Sequence, residues 1–99
     1  MPNPYLILAQ ERIAKAWCRG HLTTPLPSGG RAYCAVGALV TLPTPAWSDP
    51  TFTAARLALR EAAQAQGYLT AAYLNEDPAT THEEVLALYD LALALTQGA

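Results

Sequence analysis

Residues 81–95, THEEVLALYDLALAL, constrain this chain most, because they open as a well-specified helix and then turn apolar on most sides. Thr81 and Glu84 stand in capping-box spacing, so each side chain can satisfy a backbone N–H that a helix start leaves orphaned. Glu83 and Glu84 also favour the positive end of the helix dipole. Stepped at about 100° per residue, Val85, Leu86, Leu88, Tyr89, Leu91, Leu93 and Leu95 span roughly 220°. A surface helix needs an apolar stripe of only about 100°. Such a helix is the centre of a small bundle, or it buries one flank against a second molecule.

Residue usage points the same way. Twenty of the 99 residues are Ala and fifteen are Leu, while Val and Ile together number five, a balance that favours helix over sheet. With 52% hydrophobic and 14% charged residues, the chain can pack one core, so residues 1–99 form a single domain. The expected fold is all-α: a compact bundle of four to five helices, the last packed between the first and third.

Punctuation along the chain supplies the other helices. The first is expected from residue 4 or 5 to 19, with Leu6, Ala9, Ile13, Ala16 and Trp17 on one face and Gly20 as its stop. A loop follows over 20–31, rich in turn formers. The apolar run 32–42 is ambiguous by period and is assigned to a short buried helix, because Ala32, Ala35, Gly37 and Ala38 are poor strand residues. Its small side chains would admit a neighbouring helix, and Pro43 and Pro45 end it. After a connection containing Trp47, Asp49 caps a third helix with Pro50 in the tolerated first position. Gly67 closes that helix. A short fourth helix over 68–74 leads to a polar turn, in which Asn75 closes the helix and Pro78 blocks its continuation. The fifth begins at residue 81 or 82 and ends near Gly98.

Candidate chemistry is sparse. Cys18 and His21 are three apart, and Cys34 with His82 could complete a Cys₂His₂ zinc set. Strong zinc patterns pair their ligands at both ends, and here only one end is paired. Both cysteines sit at apolar positions, where free cysteine behaves as a small hydrophobe. No metal or other cofactor is therefore expected. The same four residues define the alternative reading, a small metal-dependent or thiol enzyme with Cys34 as nucleophile and His21 or His82 as base. Ser28-Gly29-Gly30-Arg31 lacks the ending of a phosphate-binding loop. Net charge is −2 and the basic residues are scattered, so nucleic-acid binding is not expected. A DNA-binding regulator using Arg56 and Arg60 is the weaker alternative. No apolar run is long enough to span a bilayer and two cysteines make no secreted scaffold, so a cytoplasmic location is expected.

Several short motifs occur in a fixed order: Trp17-Cys18-x-Gly20, then Cys34-Ala35-x-Gly37-Ala38-Leu39, then Asn75-Glu76, then Thr81-His82-x-Glu84-Val85-Leu86. In this the chain resembles an uncharacterised family of short, mostly helical proteins from actinobacteria and their phages. Glu76 stands where that family usually has aspartate, and Leu74 where it often has tryptophan. The resemblance implies a helical fold and carries no established activity.

The functional expectation rests on the last helix. Leu91 lies at one margin of its apolar arc, with Leu86 and Leu93 at the other, roughly 140–160° away. A chain this short has few elements left to cover both margins. Leu86, Leu91 and Leu93 are therefore the expected protein interface of a homodimer, since a two-fold contact buries one patch twice. The expected function is a small non-enzymatic protein-binding module, phage-derived and acting on a host protein. Asp49, Thr81 and Glu84 are assigned as structural caps.

Overall fold

The computed structural model describes residues 2–43 and 48–97. The proline stop at Pro45, the connection containing Trp47 and the expected end near Gly98 lie outside them. Helix α1 (Pro4–Lys15) starts where Asn3 Oδ1 accepts from the backbone N–H of Tyr5 at 3.0 Å and of Leu6 at 3.4 Å. Pro4 at the first position costs nothing, because that N–H would lack a partner anyway. Leu6, Ala9 and Ile13 form its buried face.

α1 ends four residues earlier than its periodicity predicts. Ala16 is extended, its carbonyl accepts from Tyr33 N–H, and Cys18 N–H donates to the Tyr33 carbonyl. Trp17 thus pairs with Tyr33 as an isolated parallel bridge. Its partner belongs to a hairpin of β1 (Thr23–Pro25) and β2 (Arg31–Tyr33), antiparallel with Thr24 opposite Ala32. The loop expected over 20–31 and the helix expected from residue 32 are both corrected by this pairing. A mainly helical chain therefore carries a small sheet, and the all-α assignment holds only approximately. Gly29 and Gly30 make the turn at positive φ, +93° and +78°, which side-chain-bearing residues rarely adopt.

The helical part of the run 32–42 shrinks to α2 (Gly37–Val40). Its glycine is required by the hairpin and not by a helix. A Cβ built on Gly37 would lie 1.8 Å from the Leu22 carbonyl oxygen, so the small side chain admits strand-side backbone. Cys34 Sγ accepts from Gly37 N–H at 3.2 Å, holding the turn into α2.

The C-terminal half follows local rules closely. α3 (Pro50–Ala65) begins where Asp49 Oδ1 accepts from Thr51 N–H at 2.8 Å, and it buries Phe52, Ala55, Ala58, Leu59, Ala62 and Ala63. Gly67 follows at φ +91°. α4 (Ala71–Glu76) starts three residues later than expected, because Thr70 Oγ1 caps it by accepting from Tyr73 N–H. Asn75 accordingly lies inside the helix instead of closing it.

α5 (His82–Gln97) packs mainly against α3 and α1, which places the last helix centrally. Thr81 and Glu84 exchange reciprocal bonds: Thr81 N–H donates to Glu84 Oε1 at 3.1 Å, and Glu84 N–H to Thr81 Oγ1 at 3.2 Å. Val85, Leu88, Tyr89 and Ala92 are buried. Leu86, Leu91 and Leu93 are half-buried, each packed against the core, so the monomer partly covers both margins of the arc. Gln10 of α1 braces one margin by donating to the Leu86 carbonyl and to Asp90 Oδ1. Among the described residues, no helix is long and apolar enough to cross a membrane.

Candidate functional site

Ala71, Leu74 and Asn75 share the buried face of α4 at helical spacing, which carries a fully buried amide into the core. A primary amide has two acceptor and two donor positions, and each unmet one would carry a desolvation cost. All four are met. Oδ1 accepts from Trp17 Nε1 at 2.6 Å and from Ala35 N–H at 2.9 Å; Nδ2 donates to the Cys18 carbonyl at 3.2 Å and to Glu76 Oε2 at 2.9 Å. Two N–H donors facing the same atom fix which end of the amide is oxygen.

Around Asn75 the separate sequence motifs meet. Gly20 N–H donates to both Glu76 oxygens, at 2.8 and 3.0 Å, from a turn with φ +84°. That backbone bond, then the Asn75 amide and the nearby Arg19 charge, hold the Glu76 carboxyl below its ordinary range. Arg19 donates to the Asn75 and Thr80 carbonyls and lies over the Trp17 ring, 4.6 Å from its centroid. Its charge suits the carbonyl end of α4. His82 stacks on the Trp17 ring, centroids 5.7 Å apart and planes at 15°, with Nε2 2.6 Å from the Ile13 carbonyl. A carbonyl only accepts, so Nε2 carries the proton. The Tyr89 hydroxyl donates to the Ala35 carbonyl, joining α5 to the same network.

The four residues of the enzyme reading are held as follows. Cys34 Sγ is engaged by Gly37 N–H, Cys18 Sγ lies 3.5 Å from the His21 carbonyl, and His82 is turned onto Ile13. Among the described residues, no three His, Cys, Asp or Glu side chains gather as a metal site. Burial first, then Cys34 and Glu76, push the Cys18 thiol up, opposite to the shift of an activated nucleophile. Both cysteines are free.

The outer side of the same region is apolar. An open groove of about 280 Å³ runs between α2, α3 and α4, lined by Val36, Leu39, Val40, Leu59 and Ala71, with Arg56, Arg60 and Thr70 at its rim. A second groove, of about 310 Å³, shares Val36 and continues past Leu22, Cys34, Ala72 and Glu76. Leu22 is 52% exposed, Leu57 56%, Tyr73 62% and Leu69 65%; all four line these grooves or adjoin a lining residue in sequence.

Sequence reasoning missed both features. The signal for Asn75 was its place four residues after Ala71, one turn on along the apolar face that Ala71 and Leu74 share. Nothing in the spacing could pair Asn75 with Trp17, 58 positions away.

Residues 2–95 match the model of a family described only as a family of unknown function, DUF6197. No curated protein and no solved structure matches the chain.

Proposed function

The chain belongs to that family of unknown function, and from this premise we propose that it acts as a small non-enzymatic protein-binding module. One observation carries the reading: two adjoining grooves that share Val36 have mainly apolar linings, and Leu22, more than half exposed, stands in one of them. Single exposed leucines are ordinary, whereas a contiguous apolar patch marks a surface that associates. The polar groups of the sequence motifs favour the same reading, because they are directed at one another and hold the fold.

The sequence motifs resemble those of a family from actinobacteria and their phages, which makes a host protein the first partner to seek. A homodimer through Leu86, Leu91 and Leu93 belongs to the same proposal, since those side chains are only half-buried and Leu95 beside them is exposed. Light scattering at micromolar concentration, with Leu91→Glu and Leu93→Glu variants, tests that state; a monomeric wild type removes it.

For the module itself, a partner captured from host lysate is identified, purified and titrated against this protein. A Leu69→Ser/Tyr73→Ser variant should keep its stability within about 0.5 kcal/mol, as exposed positions do, and lose at least about tenfold in affinity. Unchanged affinity in that folded variant, or no saturable partner, would overturn the reading.

A further inference from the structure

We propose that the groove between α2, α3 and α4 docks an amphipathic helix of a partner protein, with its aliphatic side chains on the apolar floor and a carboxylate against Arg60. The inference rests on the binding-module reading and specifies its surface and its ligand chemistry. The floor is made by Val36, Leu39, Val40, Leu59 and Ala71, of which Val36 and Val40 remain half-exposed and lie one turn apart. The cleft is open along its length and holds about 280 Å³. It suits a few side chains laid in from a helix, the i, i+3, i+4 mode of groove recognition.

Charge selects the occupant. Four of the five arginines of this acidic chain are engaged internally: Arg12 with the Ala38 carbonyl and Thr41 Oγ1, Arg19 in the Asn75 network, Arg31 with Thr23 Oγ1, and Arg56 over the Phe52 ring. Arg60 is exposed and has no hydrogen-bond or ion-pair partner among the described residues. It stands one turn from Arg56 on the same edge of the groove. A guanidinium beside a desolvated apolar floor is well matched to a carboxylate, which it can grip with two parallel bonds. A nucleic acid would need several phosphates neutralised, and two arginines on a chain of net charge −2 offer too few.

The probe is a synthetic helical peptide with leucines at i, i+3, i+4 and i+7 and glutamates at the other positions, together with its glutamine and lysine counterparts. Each is titrated into isotope-labelled full-length protein and followed by NMR. The glutamate peptide should bind most tightly and move the amide signals of Val36, Val40, Arg60 and Ala71. Arg60→Glu should weaken that peptide about tenfold or more and reverse the preference toward the lysine peptide. Val40→Asp should weaken all three. Circular dichroism confirms that both variants remain folded. Equal affinity of the glutamate and glutamine peptides overturns the charge assignment. Signals moving on α5 instead overturn the groove while leaving a protein-binding module intact, and so does failure of every peptide if a purified natural partner still binds. A random DNA duplex that binds through the same amides, in place of the peptides, would reassign the edge to nucleic acid.

Discussion

Helix α4 has two faces with opposite characters. Inward, Asn75 is fully buried and every hydrogen-bonding position of its amide is filled. Outward, Tyr73 and the preceding Leu69 stand more than three-fifths exposed with no polar task. The inner face uses polarity to fix the positions of three chain segments, which apolar packing alone would leave free to slide. The outer face leaves apolar area unused by the monomer. Residues that make up the recognisable motifs therefore explain why the chain closes as it does, and the apolar grooves beside them are lined partly by the same motifs, through Leu39 and Cys34.

The sharpest way to break this contrast is Asn75→Leu. It would leave Trp17 Nε1, the Ala35 N–H and the Cys18 carbonyl without their partner, the Ala35 N–H in a buried place, at about 1–3 kcal/mol for each group that water cannot reach. We expect a loss of about 3 kcal/mol or more in urea denaturation, large for a domain of this size. A loss below about 1 kcal/mol would mean that the network is decorative.

Gly37→Ala comes next. The new Cβ would meet backbone atoms of Leu22, which cannot swing aside as a flexible side chain would, so α2 and the hairpin must separate. Overpacking of that kind costs about 1–3 kcal/mol, and the expected sign in thermal melting is a clear fall. An unchanged midpoint would show that the hairpin floats free of α2.

Thr81→Ala removes one half of the reciprocal cap on α5 and should cost about 1 kcal/mol. No change would shift the capping role to another residue.

The smallest effect is one of pH. Because the folded Glu76 carboxyl is held below its ordinary value of 4.5, its ionised form contributes stability at pH above that value, and the contribution disappears as pH falls through the folded value. Asp49 and Asp77 are depressed in the same direction by the Tyr5 and Tyr68 hydroxyls, so the wild type should weaken progressively in acid. Glu76→Gln should be less stable than wild type at neutral pH, and the gap should close below about pH 4.5. A gap independent of pH would assign the bond to shape and not charge.

Where interactions are local, sequence pattern and structure agree. The starts of α3 and α5 were legible because a capping side chain and the N–H it serves lie within three residues of each other. The central place of α5 was legible because its apolar arc is wider than one neighbour can cover. Where interactions are distant, pattern misled. Trp17 continues the helical face of α1 in sequence, yet its partners are Tyr33, Asn75 and His82.

By itself, then, the sequence determined a mainly helical domain with a buried C-terminal helix, since composition, caps and periodicity act over a turn or two of chain. Only the tertiary structure decided that α1 stops at Lys15, that a hairpin interrupts the helices, and that Asn75 joins them. Three-residue strands have no period to detect, and the buried amide takes three of its four partners from residues 40 to 58 positions away. The groove beside it has the same origin: Val36, Leu59 and Ala71 become one surface only when α2, α3 and α4 are packed together.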